Sequence, residues 1–598
     1  MRWPVEPHGG ELRELLVPSA DRESLRREAV QLPSWELTER QLCDLELLLN
    51  GGFSPLEGFM GRADYDRVVS DMRLASGALW PIPVTLDLSE AAAAGLSPGG
   101  RLALRDAEGA PLAIMEIADI WRPDLVVEAF QVYGSNDDAH PGVDAIRNRS
   151  RPVYVGGRVR GIEMPQHHDF PALRSSPRQM REKFVSSGWR RVVAFQTRNP
   201  MHRAHVELTH RAARDANAHV LLHPVAGQTK PGDIDHYSRV RCYQKVLGRY
   251  PQNSAMLSLL PLAMRMAGPK EALWHAIIRK NYGCSHFIVG RDHAGPGKDA
   301  QGHDFYPPHA AQDLALTHQR ELGIGILPFQ EMLYVQERSA YVPANEVRQG
   351  ERVLSISGTE FRRRLREDAE IPAWLSYPEV VDELRRTQPP RNRQGVTVFF
   401  TGLSGAGKST IAKALLSRLL EAGERSVTLL DGDVVRKHLS SELGFSHAHR
   451  NLNILRIGFV ASEITKHGGI ALCAPIAPYA AARDEVRRMV SEHGRFFEVH
   501  VATPLAVCEQ RDRKGLYAKA RAGQIKEFTG ISDPYEPPLR PELRIDTQDC
   551  TAQEAAAAIL TRLAAEGYVD NSEAGGSVVA KGGIEPPTRG FSVRCSTN

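Results

Sequence analysis

Gly402-Leu-Ser-Gly-Ala-Gly-Lys-Ser409 is a glycine-rich stretch with the pattern G-x4-G-K-S. It follows the apolar run Val396–Phe400 and precedes a helical pattern, which is the context that a phosphate-binding loop requires. Glycines let backbone N–H groups turn towards phosphate oxygens, and the N-terminus of the next helix adds positive charge. Lys408 would neutralise the terminal phosphates, and the Ser409 hydroxyl would ligate Mg²⁺. The predicted nucleotide-binding residues are Gly402, Leu403, Ser404, Gly405, Ala406, Gly407, Lys408, Ser409 and Thr410.

The segment after this loop continues as alternating strands and helices, which predicts a parallel α/β sheet. Apolar runs lie at 426–430, 470–474 and 497–501, and an alanine-rich helical pattern covers about 552–566. Asp431 and Asp433 follow the first of these runs, where parallel sheets place ligands. One of them could accept a proton from an acceptor hydroxyl, and the alternative is a solvated acidic turn. No N-K-x-D guanine signature occurs, which disfavours a GTPase.

A second polar constellation lies upstream, in Gln196-Thr-Arg-Asn-Pro-Met-His-Arg-Ala-His205. It follows the apolar run Arg191–Phe195, so it occupies a strand-to-helix turn. His202 and His205 share one face of the opening helix, where they can hold nucleotide phosphates and offset the charge of departing pyrophosphate. Arg198 offers a fork of donors for an oxyanion. The alternatives are surface histidines with satisfied hydrogen bonds or a pair of zinc ligands, which usually has i,i+4 spacing and needs a third ligand.

A third loop, Gly290-Arg-Asp-His-Ala-Gly-Pro-Gly297, follows another apolar run at 286–290. Taken alone, Arg291 and His293 could be ordinary loop residues. The carboxyl ends of parallel strands meet at one edge of a sheet, so two such loops indicate one crevice lined by anion-binding groups.

The pattern changes at several points along the chain. Residues 1–170 combine short apolar runs with turn signals, which predicts a small β-rich domain. Strands alternate with helices over 171–325, which predicts a second parallel sheet, and 326–390 has the pattern of a small α/β appendage. The module that contains the phosphate loop covers 391–568. Residues 569–598 are rich in Gly, Ser and Pro and are predicted to form a disordered tail.

The composition excludes several classes of protein. The 598 residues are 42% hydrophobic and 25% charged, which rules out a disordered or fibrous chain. With 75 Lys and Arg against 72 Asp and Glu, the net charge of +3 gives no global basic field for nucleic acid. Seven cysteines without a close pair predict neither a disulfide framework nor a C-x2-C zinc site. No secretory signal and no apolar stretch of about 18 residues is found, so a cytoplasmic protein without a membrane partner is expected.

These motifs resemble those of two enzyme families. Residues 1–388 resemble ATP sulfurylase (sulfate adenylyltransferase), and residues 395–568 resemble adenosine 5′-phosphosulfate (APS) kinase, so the chain resembles a bacterial-type fusion of the two. The stretches similar to the first family are Pro7–Gly10, Ser54–Met60, Gln196–His205, Thr229–Asp235, Gly290–Ala294 and Ile356–Glu360. Those similar to the second are the phosphate loop, Asp431–Asp433, Arg450-x-x-Asn453, Lys514–Tyr517 and Phe528–Ile531.

The resemblance implies an α/β protein with an N-terminal PUA-like β domain, a Rossmann-like nucleotidyltransferase domain, the small α/β appendage and a C-terminal P-loop kinase domain. Sulfate would be bound by Gln196, Arg198 and the backbone of Ala294. The ATP of the sulfurylase site would be bound by Gln196, Thr197, Asn199, His202, His205, Gly290, Arg291, Asp292 and His293. APS in the kinase site would be bound by Asp433, Arg436, Phe445, Arg450, Asn453, Ile476, Lys514 and Phe528. The catalytic residues would be Arg198, His202, His205, Arg291, Lys408 and Asp433.

The resemblance also implies a bifunctional transferase of sulfate assimilation. The first step would turn ATP and sulfate into APS and pyrophosphate, and the second would use ATP to phosphorylate the 3′-hydroxyl of APS. Mg²⁺ would accompany ATP, with Ser409 as its ligand in the kinase site, and no zinc is expected. The partners would be ATP, sulfate, APS and further copies of the chain in a homo-oligomer. Two alternatives remain, namely a sulfurylase whose kinase-like domain only senses nucleotide and a sulfurylase that works in reverse to make ATP.

Overall fold

The computed structural model describes residues 4–227, 234–387, 389–423, 425–512, 515–548 and 550–569. Three features predicted from the sequence lie wholly or mostly outside these ranges, namely Lys514, the Thr229–Asp235 motif and the tail beyond Val569.

The chain divides into two compact units. The first unit contains the residues up to Phe361 together with Ile371–Leu384. The second contains Arg362–Glu370 and the residues from Arg385 onwards. The domain boundaries drawn from the sequence stay predictions.

The first sheet of the first unit is mostly antiparallel. Its strands are β1 Ser34–Glu36, β2 Gly58–Phe59, β3 Leu86–Leu88, β4 Arg101–Arg105, β5 Pro111–Trp121 and β6 Val153–Gly161. The accompanying helices are α1 Ser19–Gln31, α2 Glu39–Leu49, α3 Arg62–Asp71, α4 Glu90–Ala93, α5 Leu125–Tyr133 and α6 Pro141–Asp144. The strands are ordered β1-β4-β5-β6-β2, with β3 also on β6 and only β1 and β4 parallel. This arrangement confirms the expected β-rich N-terminal domain.

A parallel sheet forms the second half of this unit. Its strands are β7 Val192–Phe195, β8 His219–Leu222, β9 Ala255–Leu257, β10 His286–Val289 and β11 Gly325–Pro328. Its helices are α7 Pro177–Ser186, α8 Arg203–Ala216, α9 His236–Leu247, α10 Gly268–Asn281, α11 Ala310–Thr317 and α12 Gln319–Leu322. The strand order is β11-β10-β7-β8-β9, so β8 and β9 lie on one side of β7 and the later strands β10 and β11 lie on the other. Doubly wound sheets bind ligands at such a reversal, which places the loops after β7 and β10 side by side.

One apolar core joins the two sheets of the first unit. Phe53, in the loop after α2, stacks on Trp274 of α10 with ring centroids 5.1 Å apart, and both rings are fully buried. Asn281, at the end of α10, donates to the carbonyls of Gly52 and Ser54 at 2.9 Å each. The β-rich region and the parallel sheet therefore form a single body.

A small antiparallel sheet follows in the same unit. Its strands are β12 Met332–Val335, β13 Ala340–Pro343 and β14 Val353–Leu354, in the order β13-β12-β14. The next helices are α13 Gly358–Arg366 and α14 Pro378–Thr387, and the division between the two units passes through both. Phe361 and Ser376 stay with the first unit, where they reach its candidate site.

The described residues of the second unit form a five-stranded parallel sheet with helices on both faces. The strands are β15 Val396–Thr401, β16 Val427–Asp431, β17 Ile470–Ala474, β18 Arg495–Val501 and β19 Leu543–Ile545. The helices are α15 Lys408–Ala422, α16 Gly432–His438, α17 His447–Lys466, α18 Ala480–Ser491, α19 Leu505–Arg511, α20 Leu516–Arg521 and α21 Ala552–Ala565. The strand order is β16-β17-β15-β18-β19, with α15 and α21 packed in one core and α17 and α18 in another. The predicted phosphate loop follows the central strand β15, at the reversal of the strand order.

Several predicted elements match the structure closely. The apolar run 470–474 coincides with β17, and the alanine-rich helix ends one residue earlier than expected. One of the short apolar runs of the N-terminal region, Trp80–Leu88, forms a strand only from Leu86 onwards, because Pro81 and Pro83 lack the N–H groups that a ladder needs. Over the ranges that the structure describes, no helix combines the length and the apolar character needed to cross a membrane.

Candidate active sites

The loop after β7 is anchored through its own carbonyl groups. Arg239 of α9 donates from Nη1 to the Arg198 carbonyl at 3.1 Å, and the Tyr243 hydroxyl donates to the Asn199 carbonyl at 2.9 Å. The Asn199 N–H donates to Thr197 Oγ1 at 3.1 Å, which tightens the turn. These bonds fix the backbone without using the Arg198 guanidinium, and the Arg198 side chain is half-buried while Asn199 is exposed.

His202 and His205 lie at the N-terminus of α8, as predicted from their spacing. His205 Nδ1 accepts the backbone N–H of His202 at 3.1 Å, so the hydrogen of its neutral ring is on Nε2. His202 Nδ1 lies 2.9 Å from Ser376 Oγ, and its ring packs edge-on against Phe361 with centroids 4.9 Å apart. Burial lowers the pKa of His202 to about 3 and that of His205 to about 4. Both rings are therefore neutral at neutral pH, and the helix N-terminus supplies the positive potential.

The loop after β10 contains a backbone conformation that favours glycine. Ala294 has φ 54°, and its carbonyl accepts the Gly268 N–H at 3.3 Å. A left-handed conformation in a residue other than glycine costs about 1–3 kcal/mol and occurs preferentially at ligand-binding sites, which supports the predicted role of the Ala294 backbone. Arg291 and Asp292 are exposed in the same loop. A Cβ atom added to Gly290 would meet no other atom within 4 Å, so open space lies beside it.

His293 of this loop belongs to a polar chain that runs into the core. Its Nε2 lies 2.9 Å from Nδ1 of the buried His275, whose Nε2 lies 3.3 Å from Glu271 Oε1. The two Glu271 oxygens accept the N–H groups of Arg265 and Ala267 at 2.9 Å each. Burial lowers the pKa of both histidines well below the ordinary value and raises the pKa of Glu271. The ring of His293 thus bonds towards the core, and its contact with ATP stays a prediction.

Several histidines of the first unit, among them His8, His140, His202 and His205, make its stability sensitive to acid. Burial lowers the pKa of His8, His140 and His205 to about 4 and that of His202 to about 3, against about 6.5 in an unfolded chain. Below pH 6.5 the unfolded chain therefore takes up protons that the folded unit does not. The free energy of unfolding should fall as the pH falls from 6.5 towards 4.

The variant His140→Asn isolates one of these contributions. His140 caps α6, and its Nδ1 accepts the Gly142 N–H at 3.0 Å, a bond that an Asn side chain can replace. A group with a pKa of about 4 when folded and about 6.5 when unfolded lowers the free energy of unfolding by about 2 kcal/mol when the pH falls from 7.5 to 5. Over this pH interval, the free energy of unfolding of the variant should fall by about 2 kcal/mol less than that of the wild type. The seven tryptophans all precede residue 375, so tryptophan fluorescence during denaturant titration follows this unit alone, and identical pH dependence in both proteins would contradict the prediction.

The predicted phosphate loop of the second unit connects β15 to α15. Gly402 and Gly407 have φ values of 150° and 106°, and a Cβ atom on Gly402 would lie 2.4 Å from the Val501 carbonyl oxygen, so only glycine fits there. Lys408 Nζ donates to the carbonyls of Gly402 and Leu403 at 2.8 and 2.7 Å. The lysine ammonium therefore lies inside the loop, and its side chain is largely buried.

Side chains from three separate segments hold this loop. The hydroxyls of Thr503 and Thr547 each donate to the Ala406 carbonyl at 3.0 Å. The hydroxyl of Tyr517, in α20, donates to the Ser404 carbonyl at 2.8 Å. The loop conformation is therefore fixed by the protein itself, which lowers the entropic cost of binding a nucleotide.

The residues after the loop provide a candidate magnesium ligand. Ser409 is partly exposed in the first turn of α15, and Thr410 beside it is exposed. A hydroxyl oxygen next to bound phosphates is the type of ligand that Mg²⁺ takes in phosphate loops. Among the residues described, no group of three or more His, Cys, Asp or Glu side chains is arranged to hold a metal ion. The expectation that the protein binds no zinc stays a prediction.

Asp433 lies in the first turn of α16, at the carboxyl end of β16. Asp431 caps this helix by accepting the Asp433 N–H at 3.1 Å, and Asp433 itself is exposed. Arg436, on the same helix, places its guanidinium 4.3 Å from the centre of the Phe445 ring. The Phe445 side chain is 66% exposed, so an aromatic face and a positive charge are both open to a ligand.

Arg450 is held by a network that includes an acidic side chain. Its Nη1 donates to Asp533 Oδ2 at 2.6 Å and to Thr529 Oγ1 at 2.9 Å, and the Tyr479 hydroxyl donates to the same Asp533 oxygen at 2.7 Å. Asn453 lies nearby on α17 and is buried, and its Oδ1 has no hydrogen-bond partner among the described residues. An anionic ligand of Arg450 would share the guanidinium with Asp533.

Three predicted APS contacts remain. The Ile476 carbonyl accepts the Gly402 N–H at 3.2 Å, so Ile476 lies beside the phosphate loop. Phe528 packs edge-on against Tyr517 with ring centroids 5.0 Å apart. Lys514 lies outside the described residues. Ile476 is thus bonded to the phosphate loop directly. Phe528 is linked to it through Tyr517, whose hydroxyl bonds to the Ser404 carbonyl.

Further residues of both sites were not among the predicted site residues. They are Arg239, Tyr243, Arg279 and Ser376 in the first unit and Tyr479, Thr503, Tyr517, Thr529, Asp533 and Thr547 in the second. Each one bonds to a predicted residue, or to a neighbour of one, from an element distant along the chain. Only Tyr517 and Thr529 lie inside stretches that resemble a family motif, so only these two carried a sequence signal.

Three family models match the chain in succession. The PUA-like domain matches residues 5–164, ATP-sulfurylase matches residues 171–387, and Adenylylsulphate kinase matches residues 394–546. These matches and the sheets that the described residues form confirm the predicted fold class, with its N-terminal PUA-like domain and C-terminal P-loop kinase domain.

Curated relatives and a solved structure extend over nearly the whole chain. Sulfate adenylyltransferase from Phaeosphaeria nodorum is 54% identical over 94% of this chain and 99% of its own length. The enzyme of the same name from Chaetomium globosum is 53% identical, again over 94% of this chain and 99% of its own. The structure of the hexameric APS kinase from Thiobacillus denitrificans superposes with a TM-score of 0.78 at 42% identity, covering 95% of this chain and 100% of that one. The chain therefore belongs to the sulfate adenylyltransferase family, and it is an enzyme of sulfate activation in which an ATP-sulfurylase domain is followed by an APS kinase domain.

Proposed function

We propose that this chain catalyses both steps of sulfate activation. It would form APS from ATP and sulfate and then convert APS with a second ATP into 3′-phosphoadenosine 5′-phosphosulfate (PAPS). The observation that carries the proposal is the complete phosphate loop of the second unit, with Lys408 inside it and Asp433 after β16, two strands away at the same edge of the sheet. These groups are the ones that phosphoryl transfer to a hydroxyl needs.

In the first step, a sulfate oxygen attacks the α-phosphorus of ATP and the bond to pyrophosphate breaks. Sulfate is already ionised, so no protein base is required, and the protein must place sulfate in line and bind the leaving group. Arg198 has the forked donors that suit a sulfate oxyanion. His202 and His205 would donate neutral N–H groups to the ATP phosphates at the positive end of α8, with Arg291 adding charge.

In the second step, the 3′-hydroxyl of APS attacks the γ-phosphorus of another ATP and ADP leaves. The hydroxyl loses its proton during the attack, and the exposed carboxylate of Asp433 would accept it. Lys408 would offset the charge that develops between the β- and γ-phosphates. Mg²⁺ bound with ATP would supply further charge neutralisation, and the Ser409 hydroxyl would hold it. Arg436 and Phe445 would hold APS by charge and by contact with an aromatic face.

A second candidate is a sulfurylase whose kinase-like unit only regulates it. The relatives at 53–54% identity bear the name of the first activity alone, which favours this candidate. Against it, a nucleotide sensor needs no proton acceptor, whereas Asp433 is exposed after the end of β16, at the same sheet edge as the loop that follows β15. A catalytic second unit would also draw the unfavourable first reaction forward by consuming APS.

Product analysis with radiolabelled sulfate tests the proposal. The purified chain is incubated with ATP, Mg²⁺, labelled sulfate and pyrophosphatase, and labelled APS and PAPS are separated by chromatography. We expect PAPS to accumulate, with APS at a low steady level. Accumulation of APS without PAPS would support the regulatory candidate, and the absence of both products would contradict the proposal as a whole.

We also propose that the protein is a homo-oligomer. The proposal is supported by the hexameric APS kinase structure that covers 95% of this chain at 42% identity. Light scattering after size-exclusion chromatography should give a mass several times the 66.2 kDa of one chain, and a mass of one chain would contradict it.

A further inference from the structure

Arg279 is a buried cation in the middle of the first unit, behind the loop that follows β7. It lies near the end of α10 and has no exposed surface. Its Nη2 donates to the side-chain oxygen Oε1 of Gln196 and, at 3.0 Å, to the His223 carbonyl. The guanidinium also lies 5.6 Å from the centre of the Phe287 ring. A positive charge is thus bonded directly to one of the predicted sulfate ligands.

The charge of Arg279 is not balanced by a close carboxylate. Across the described ranges, no acidic side chain forms an ion pair with it, and its Nε and Nη1 atoms have no hydrogen-bond partner. By contrast, Arg265 just before α10 pairs through Nη2 with both oxygens of the buried Asp44, at 2.8 and 2.6 Å. Burial lowers the pKa of Arg279 to about 9, so the group is still charged at neutral pH. Burying an unpaired charge is costly, which calls for a ligand that offsets it.

The bond to Gln196 also determines how that carboxamide is oriented. Its oxygen accepts from Arg279, so its NH₂ group is directed away from the guanidinium, where one N–H donates to Met264 Sδ at 3.7 Å and the second can serve a ligand. An amide held in this way offers only donors to a ligand. A ligand on that side is therefore an acceptor such as an oxyanion.

We propose that Arg279 is a positioning residue of the sulfate site. It holds the Gln196 carboxamide so that its NH₂ group faces the anion. Its buried positive charge also makes the site prefer doubly charged tetrahedral anions over singly charged ones. This inference rests on the proposed function, since it takes Gln196 as a sulfate ligand. Arg279 acts through Gln196 and does not itself need to touch the substrate.

The size of the charge effect follows from Coulomb's law. A guanidinium and an anion bound at opposite ends of one carboxamide are about 8–10 Å apart. At this separation and an effective dielectric constant of about 20, one unit of charge changes a binding constant by roughly 15- to 30-fold. Removing the charge of Arg279 should therefore weaken the binding of a dianion more than that of a monoanion. The ratio of the two affinities should fall by the same factor of roughly 15- to 30-fold.

The experiment measures anion selectivity in the full-length protein. Sulfate-dependent exchange of labelled pyrophosphate into ATP is inhibited by thiosulfate, a tetrahedral dianion, or by perchlorate, a tetrahedral monoanion, and the two inhibition constants are compared. In Arg279→Met, the preference for thiosulfate over perchlorate should fall roughly 15- to 30-fold. In Arg279→Lys, which keeps the charge but loses the fork, the preference should stay within about threefold of wild type while both anions bind more weakly.

Arg181→Met is the matched control. Arg181 is also buried in the first unit, where it donates to the carbonyls of Val5, Lys280 and Asn281, so its loss likewise removes a buried guanidinium that bonds to main-chain carbonyls. The preference of Arg181→Met for thiosulfate over perchlorate should equal that of the wild type. Tryptophan fluorescence establishes that each variant is folded. If Arg279→Met does not fold, the result with Arg279→Lys decides, because unchanged binding of both anions would overturn the orienting role.

The outcomes separate this inference from the proposed function. A wild-type chain without sulfate-dependent exchange would remove the proposed sulfurylase step itself. An active wild type with unaltered anion selectivity in Arg279→Met would leave that step intact and overturn the role of Arg279. A selectivity loss of equal size in the Arg181→Met control would show a general effect of buried-charge removal and would also overturn it.

Discussion

Lys408→Ala is expected to lower the formation of PAPS by about 10²–10³-fold while the initial rate of APS formation stays at the wild-type value. The ammonium group lies inside the phosphate loop, 2.8 and 2.7 Å from the carbonyls of Gly402 and Leu403, so it is within reach of phosphates that the loop holds. Its removal takes away a positive charge that is worth most in the transition state. The loop itself should survive, because Thr503, Thr547 and Tyr517 hold its backbone.

The measurement follows both labelled products from sulfate and, separately, PAPS from added APS. The control is Lys413→Ala, which removes an exposed lysine from the same helix α15 and should leave both rates unchanged. If the second unit were only regulatory, the wild type would make no PAPS, and Lys408→Ala would alter only the saturation curves of the first step. PAPS formation at the wild-type rate in Lys408→Ala would remove this lysine from the catalytic set.

The parts of this protein that could be predicted from its sequence are those with short-range causes. The phosphate loop needs glycines at positions where a Cβ atom would collide, as at Gly402, so its pattern is nearly unique. The histidine pair at the start of α8 follows from helical spacing. The strands β15 and β17 are continuous apolar runs because both faces of a parallel sheet are covered.

The rest depends on contacts between distant segments. Ser376 reaches His202 across 174 positions, and Arg279 reaches Gln196 across 83. Asp533 is one of several acidic residues in its part of the sequence, and only the fold shows that it pairs with Arg450. The shared core of the first unit could likewise not be predicted from the sequence, because the stacking of Phe53 on Trp274 joins segments that were assigned to separate domains.

Arg198→Lys is expected to lower APS formation by about 10- to 100-fold and leave the conversion of added APS to PAPS unchanged. A lysine keeps the charge but cannot form two parallel bonds to one oxyanion. The loss of one charge-assisted hydrogen bond costs about 1.5–3 kcal/mol, which corresponds to this range of rates. The loop should keep its shape, because Arg239 and Tyr243 bond to its carbonyls and not to the substituted side chain.

The two reactions are measured separately, the first as sulfate-dependent pyrophosphate release and the second with APS supplied. Arg214→Lys provides the control, since Arg214 lies on α8 with its side chain 72% exposed and the same exchange of residue types should there have no effect. A KM for sulfate that rises in Arg198→Lys while the KM for ATP stays constant would place the guanidinium on sulfate. A rise in the KM for ATP alone would move Arg198 to the nucleotide, and wild-type kinetics for both substrates would remove it from the site, because a side chain that binds neither substrate has no means of stabilising the transition state between them.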